Sequence, residues 1–245
     1  MIEIIPAIIA GDFRELKKKI RLVVPYVDWV QIDIMDGKFV PHSTWSEPKE
    51  LKDINTNLKI ETHLMILDPF KTVDDWLRAG VSRVIIHWES LKSTPESQLK
   101  KITEKVKSYK SQLPEPQRSQ RGKPLFHPSL RLGRVKKRIY PLRLGVALNP
   151  ETPWQEIKAF VKNLDLVLLM GVNPGRSGQS FREEILPKIK ALREFSANLN
   201  IEVDGGVKPE NIRKIIEAGA NILVAGSAIF EARNVKMAVE ELRQR

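Results

Sequence analysis

Short aliphatic or β-branched runs alternate with amphipathic stretches from one end of the chain to the other, and this alternation constrains the fold most. The apolar runs lie near residues 2–8, 28–35, 58–65, 83–88, 143–149, 165–171, 199–204 and 221–226. Helical patterns follow them near 12–24, 46–53, 70–79, 95–112, 152–162, 182–197, 208–218 and 234–243. Eight strand–helix pairs in about 250 residues are typical of a (β/α)8 barrel, whose parallel strands are buried on both faces. The sequence therefore predicts an α/β fold, a single (β/α)8 TIM barrel over residues 1–245.

The segment 113–142 interrupts this regular spacing between the fourth helical pattern and the fifth strand. It holds eight basic residues and one acidic residue, so it carries +7 of the formal charge of +11. It also contains five prolines and is longer than an ordinary connection from helix to strand. Its composition favours a solvated surface insertion. Because it connects a helix to the next strand, we expect it at the barrel face opposite the loops that build active sites. Nucleic-acid binding, or a contact between subunits, is the alternative interpretation of this segment.

Composition excludes several kinds of site. The chain has no cysteine, which rules out disulfides, a thiolate nucleophile and a Cys-ligated zinc site. The apolar N-terminus lacks a basic region and carries Glu3 and Pro6, which favours a buried strand over a signal peptide. Since no apolar run reaches membrane-spanning length, we expect a cytoplasmic protein without a membrane partner.

The segment Val30–Gly37 directs chemically useful side chains to one face of the second strand. Side chains alternate along a strand, so Gln31, Asp33 and Met35 point the same way. Asp204 occupies the matching position at the end of the seventh strand. Two aspartates at the C-terminal ends of barrel strands could flank one substrate carbon. That arrangement is needed to remove a proton from one face of the carbon and return it to the other.

A histidine at a strand end extends this polar set. A lone His there is usually a core or rim residue, but His63 ends the third strand as Asp33 and Asp204 end theirs. Together the three offer the nitrogen and oxygen ligands that divalent Zn, Mn or Fe accepts. We assign no catalytic role to His87 and Glu89, which end the fourth strand.

Three methionines end strands at matching depth. Met35, Met65 and Met170 lie at the C-terminal ends of the second, third and sixth strands. Any one methionine could simply fill the core. As a set they could instead cover the substrate carbon with apolar surface and keep water from protonating an intermediate.

Glycine-rich loops follow the last three strands. They contain Gly175, Arg176, Ser177, Gly178 and Gln179 after the sixth strand, Gly205 and Gly206 after the seventh, and Gly226 and Ser227 after the eighth. Glycines let backbone N–H groups approach a phosphate closely, and the last loops of such barrels commonly bind one. Turns need glycine anyway, but three such loops in succession predict a phosphate site.

In these motifs the chain resembles the ribulose-phosphate 3-epimerase family, over nearly its whole length except the basic insertion. The matching segments are 6–13, 32–41, 62–65, 145–150, 165–181, 201–206 and 224–230. The resemblance implies a (β/α)8 isomerase that interconverts D-ribulose 5-phosphate and D-xylulose 5-phosphate through a metal-stabilised enediolate. Its substrate would be a small phosphorylated ketose, and we also expect a homo-oligomer.

The resemblance also implies a role for each part of the site. Asp33 and Asp204 match the family's acid/base pair, and with His63 they match ligands of a divalent metal such as Zn, Mn, Fe, Co or Mg. The three methionines match the cap over the substrate, and the three glycine-rich loops match the phosphate site.

The chain departs from the family's motifs at several site positions. The family's first metal-binding His lies two residues before the first aspartate, where this chain has Gln31. An amide oxygen is a poorer ligand than imidazole for zinc or iron, so metal binding should weaken or shift toward harder ions. Ala7 replaces the family's serine, and Arg176-Ser177 stands where the family usually has Phe-Gly. Arg176 either adds a phosphate contact or points to solvent.

Two functions of different classes fit these residues. The favoured one is a pentose-phosphate epimerase with an altered metal site, because both aspartates, His63 and the methionine cap are intact. An epimerase of another ketose phosphate, such as allulose 6-phosphate, is a variant of it. The other is a non-epimerising sugar-phosphate binder, or a protein whose role lies in its basic insertion, since a fold alone does not establish activity.

Overall fold

The computed structural model describes residues 2–91, 94–112 and 142–244. Eight parallel strands close into a barrel in which each strand pairs with the next and the last pairs with the first. They are β1 (Glu3–Ile8), β2 (Trp29–Met35), β3 (Lys59–Met65), β4 (Arg83–His87), β5 (Arg143–Leu148), β6 (Leu166–Met170), β7 (Asn200–Asp204) and β8 (Ile222–Ala225). The barrel expected from the alternating pattern is confirmed.

The connections between strands combine α-helices with short 3-10 turns. The α-helices are α1 (Phe13–Val23), α2 (Val73–Ala79), α3 (Pro95–Gln112), α4 (Leu186–Phe195), α5 (Ile212–Glu217), α6 (Ser227–Phe230) and α7 (Val235–Arg243). The 3-10 turns are Pro48–Asp53, Pro69–Lys71, Trp88–Ser90, Trp154–Ile157, Val161–Asn163 and Glu183–Ile185. Within the described ranges, no helix is both long and apolar enough to cross a membrane.

Two expected helices, near 46–53 and 152–162, are 3-10 turns instead. The amphipathic pattern in these stretches reports which residues are buried, such as Leu51, Trp154 and Ile157. A 3-10 turn aligns side chains three residues apart, so it can bury the same residues as an α-helix. Short α-helices are also only marginally stable by themselves. The pattern is therefore right about the buried face and wrong about the helix type.

Helix α1 begins at a side-chain cap beside the barrel mouth. Asp12 accepts a hydrogen bond from the backbone N–H of Glu15 at 2.8 Å, and the Glu15 carboxylate accepts one from the N–H of Gly11 at 2.8 Å. These bonds satisfy N–H groups that lack partners within the helix. The helix packs on the barrel through its buried residues Leu16, Ile20 and Val23.

The strands are buried on both faces, as expected for a parallel barrel. Outside the wall, Val30, Ile32 and Ile34 of β2 belong to the large core beneath the helices. Inside the barrel, a second apolar cluster contains Ile5, Trp29, Ile85, Leu168 and Val224. The barrel is therefore a filled core and not a channel.

Strand register aligns the polar residues of the interior. Across β2 and β3, and across β6 and β7, the paired residues are Gln31 with Glu61, Asp33 with His63, Met35 with Met65, and Met170 with Asp204. Residues paired across neighbouring parallel strands point to the same face of the sheet. The residues that the sequence places at strand ends thus all point into the barrel near its mouth.

A buried charge cluster lies one layer below. Arg83 donates from Nη1 to Glu61 and, at 2.9 Å, to Glu202, and all three side chains are fully buried. The guanidinium also lies 4.4 Å from the ring of Trp29. Burial outweighs the attraction of Arg83 and raises the pKa of Glu61 to about 7. Arg83 is thus the cation on which two buried carboxyl groups depend.

The basic segment 113–142 lies outside the described residues, except for Leu142. Helix α3 ends at Gln112 and β5 begins at Arg143. Leu142 itself is buried. The expected insertion therefore stays a prediction.

Replacing Arg83 tests the importance of this buried cluster. We expect Arg83→Met to lower the free energy of unfolding by about 3–5 kcal/mol, because two carboxyl groups lose their buried cation. Urea denaturation measures the loss. Arg78→Met is the control, since Arg78 pairs with Asp75 on the exposed surface and should cost less than about 1 kcal/mol. Equal losses in the two variants would contradict this account of Arg83.

Candidate functional site

A cleft of about 730 Å³ opens at the C-terminal ends of the strands, where the loops after them converge. Most of the residues expected from sequence line it: Asp33, Met35, Met65, Met170, Gly175, Arg176, Ser177, Gly178, Gln179, Asp204, Gly205, Gly206, Gly226 and Ser227. Gln31 and His63 are fully buried beneath the floor, where they contact Asp33 and Asp204. The barrel thus assembles the expected residues into one region.

Two aspartates and a histidine form a polar cluster at the floor of this cleft. His63 Nδ1 lies 3.4 Å from Asp33 Oδ1 and 3.2 Å from Asp204 Oδ2. One ligand atom from each residue lies within 4.8 Å of the other two. This buried set of two carboxylates and an imidazole could hold a divalent metal ion, because its donor types and spacing fit one.

Gln31 joins the two aspartates from below. Its side-chain nitrogen Nε2 donates to Asp33 Oδ1 and to Asp204 Oδ2, in both cases at 2.7 Å, and lies 3.4 Å from His63 Nδ1. From sequence, Gln31 was a candidate metal ligand through its amide oxygen. In the structure the amide nitrogen, which is a hydrogen-bond donor, faces the cluster.

The surroundings shift the pKa values of Asp33 and His63. Burial raises the pKa of Asp33; the hydrogen bond from His63 opposes this shift, and the charge of Asp204 adds to it. Burial disfavours a charged His63, but hydrogen bonds and charges from Asp204 and Asp33 outweigh burial and raise its pKa to about 10. The cluster therefore favours a cation between the two carboxylates.

A hydrogen-bonded chain runs from His63 away from the cleft. His63 Nε2 lies 2.8 Å from His87 Nε2, and His87 Nδ1 lies 3.3 Å from Glu89. Glu89 in turn accepts from the backbone N–H of Asn149 at 2.7 Å and from the hydroxyl of Thr152. Burial lowers the pKa of His87, so a neutral ring that accepts from His63 and donates to Glu89 fits the contacts.

His87 and Glu89, to which the sequence assigned no role, both lie behind His63. The sequence did contain one indication of this contact: His87 is an inward-facing residue of β4, and β4 pairs with β3, which carries His63. Lys19 was also missed: it lines the cleft from α1, donates to the carbonyl of Ile9 at 2.7 Å and pairs with Glu15. Lys19 belongs to an amphipathic helix, and that pattern does not indicate that its side chain lines the cleft.

The glycines after β7 are required by close packing. Gly205 and Gly206 have positive φ angles of 100° and 70°. A Cβ atom on Gly205 would lie 2.4 Å from a methyl group of Val172, and one on Gly206 would lie 2.6 Å from the backbone of Phe181. Side chains are therefore excluded here, and the backbone lines the cleft directly.

The loop after β6 is held by its own polar contacts. Gln179 donates to the carbonyl groups of Asn173 at 2.7 Å and Arg176 at 2.9 Å. Arg176 is exposed and lines the cleft. A cation is thus present beside the glycine-rich loops.

Comparison with protein families matches residues 3–112 and 128–230 to the ribulose-phosphate 3 epimerase family. The chain is 35% identical over 249 residues to ribulose-phosphate 3-epimerase of Synechocystis sp., covering 99% of this chain and 93% of that one. It is 35% identical over 251 residues to the Bacillus subtilis protein of the same name, covering 99% of each.

Solved structures with the same fold are more distant in sequence. KGPDC from Streptococcus mutans superposes with a TM-score of 0.67 at 11% identity, covering 100% of this chain and 96% of that one. 3-Hexulose-6-phosphate synthase from Salmonella typhimurium superposes with a TM-score of 0.64 at 13% identity, with coverages of 99% and 97%. At these identities the likeness supports the barrel fold alone.

The polar cluster predicts where a metal ion binds. We expect His63→Gln to weaken Mn²⁺ or Zn²⁺ binding at least about tenfold, because the cluster loses its imidazole ligand. Titration calorimetry on chelator-treated protein measures the affinity. His42→Gln is the matched control, since His42 lines the same cleft outside the cluster. Unchanged affinity in His63→Gln, or an equal loss in the control, would contradict the assignment.

Proposed function

The chain belongs to the ribulose-phosphate 3-epimerase family, and from that premise we propose that it interconverts D-ribulose 5-phosphate and D-xylulose 5-phosphate. One observation carries the proposal: Asp33 of β2 and Asp204 of β7 meet at the floor of one cleft. The family relatives cover nearly all of this chain, so the proposal concerns the whole barrel.

Asp33 and Asp204 would act as the acid/base pair. One carboxylate removes the proton from C3 of the bound ketose, and the electron pair of the C–H bond becomes part of an enediolate. The other aspartic acid then returns a proton to the opposite face of C3, which inverts that centre. The burial that raises the pKa of Asp33 helps a carboxyl group to hold a proton between these steps.

The same residues would hold the metal ion. Asp33, His63 and Asp204 fit Zn, Mn, Fe, Co or Mg, which when bound would supply positive charge to stabilise the enediolate oxygens. His63 would be oriented for this task by His87, which contacts its other ring nitrogen.

Three methionines would keep water away from the reacting carbon. Met35, Met65 and Met170 are almost fully buried, and each reaches the cleft. Met35 and Met65 pack with Val40 in a small apolar cluster at the barrel mouth. An apolar cover of this kind protects the enediolate from protonation by solvent.

The glycine-rich loops would bind the substrate phosphate. The backbone at Gly205 and Gly206 lines the cleft, as do Gly226 and Ser227 at the start of α6. Gly175, Ser177, Gly178 and Gln179 line it from the loop after β6. Backbone N–H groups and the Arg176 guanidinium are suited to a phosphate dianion.

Three other expectations stay predictions of the proposed enzyme. They are a homo-oligomeric state, a cytoplasmic location, and a solvated surface insertion at 113–142, with nucleic-acid binding or a subunit contact as the alternative for that segment. Size-exclusion chromatography with light scattering measures the first.

Proton exchange at C3 tests the proposed reaction. With Mn²⁺ or Zn²⁺ added, the protein should exchange the C3 proton of D-ribulose 5-phosphate with solvent deuterium and form D-xylulose 5-phosphate, as followed by NMR. Exchange with allulose 6-phosphate alone would identify an epimerase of another ketose phosphate. Binding of ribulose 5-phosphate without exchange of either substrate would identify a non-epimerising binder.

Asparagine variants test the acid/base pair. We expect Asp33→Asn and Asp204→Asn each to lower the rate of epimerisation by about 10²–10⁴-fold, because an amide cannot accept the proton. Binding of ribulose 5-phosphate, measured by calorimetry, should persist through the phosphate site. Asp75→Asn, on the exposed face of α2, is the control and should keep its rate. A normal rate in either site variant would overturn the assignment.

A further inference from the structure

We propose that the Gln31 carboxamide clamps Asp33 and Asp204 together in place of a metal ion, so that a divalent ion must displace it to bind. The inference rests on the proposed function only in treating the polar cluster of Asp33, His63 and Asp204 as the metal centre. Gln31 Nε2 lies 2.7 Å from Asp33 Oδ1, 2.7 Å from Asp204 Oδ2 and 3.4 Å from His63 Nδ1. Each of these atoms belongs to one of the three residues that could hold the ion, so the amide nitrogen contacts every candidate ligand residue.

A carboxamide suits this role because one nitrogen carries two N–H bonds. Each carboxylate receives one of them, so a single uncharged group satisfies both aspartates. A histidine, which the family's motif has at this position, carries at most one N–H on each ring nitrogen. It can offer a lone pair to an ion, but it cannot donate twice from one atom.

The amide oxygen of Gln31 shows why the amide nitrogen faces the aspartates. Oε1 is buried and has no hydrogen-bond partner among the described residues. Turning the amide by half a rotation would direct Oε1 at two carboxylate oxygens, where it would be repelled. The side chain therefore leaves its acceptor unpaired and directs both donors at Asp33 and Asp204.

The surroundings limit how Gln31 can leave. Its side chain is fully buried. Its backbone lies between Ala7 of β1 and Glu61 of β3 in the barrel register. An ion that enters from the cleft therefore meets a buried amide whose nitrogen is already hydrogen-bonded to both carboxylates. Metal binding has to compete with two buried hydrogen bonds, and the pair of aspartates stays connected when no ion is present.

Two variants separate this role from that of an ordinary ligand. Gln31→Met keeps the side-chain length and removes both donors, whereas Gln31→Asn keeps the amide but shortens its reach by one methylene. The proposal predicts that both variants bind Mn²⁺ at least about fivefold more tightly than the parent protein, by calorimetry without substrate. In chelator, both should melt at a lower temperature than the parent, and added Mn²⁺ should remove most of that difference.

Gln98→Met is the matched control. Gln98 also has a side-chain oxygen that is buried without a partner among the described residues, but it lies on α3 away from the cleft. Its Mn²⁺ affinity should equal that of the parent. This control separates the loss of a glutamine in general from the loss of the clamp.

The outcomes are decisive in both directions. Weaker Mn²⁺ binding in the two Gln31 variants would overturn the proposal, since Gln31 would then be a ligand. Unchanged melting in chelator would also overturn it, as would variants that fail to fold even with Mn²⁺. A variant that folds only with Mn²⁺ supports it. Because no substrate is used, a protein that passes the C3 exchange test and fails here is an epimerase in which Gln31 has another role.

Discussion

The hydrogen-bonded register of the closed barrel is the constraint on which the site depends. Asp33 lies beside His63 and Met170 beside Asp204 because of that register. A slip of one residue in any of these strands would turn its inward side chains toward the helices. Closure through β1 and β8 removes the free edges at which such a slip could occur. The positions of the site side chains at the barrel mouth are therefore set by the backbone pairing of the strands that carry them.

The interior of this barrel carries two polar layers. The lower one holds Arg83 with Glu61 and Glu202, and the upper one holds the aspartates with His63. Burying charges costs free energy that pairing only partly recovers, so such layers are a poor way to stabilise a fold. They are a good way to shift pKa values, as the raised pKa of Asp33 shows.

Two departures from the family's motifs lie side by side. Ala7 on β1 is the register partner of Gln31 on β2, although the two positions are distant in sequence. One removes a hydroxyl group from the cleft floor, and the other replaces a metal-binding imidazole by an amide. The two aspartates, His63 and the three methionines keep the pattern of the family. The change at Gln31 reaches both aspartates, because its amide nitrogen lies 2.7 Å from each.

The sequence by itself determined the alternation of strands and helices, the strand-end positions of Asp33, His63 and Asp204, and the glycine-rich loops. These are local properties, since periodicity and turn chemistry act over a few residues. Tertiary structure alone decided which way the Gln31 amide points and that His87 supports His63. Gln31 and Asp204 are 173 positions apart, and their hydrogen bond exists only because the barrel closes between them. Sequence spacing carries no information about such a contact, because it depends on the height and direction of side chains from opposite ends of the chain.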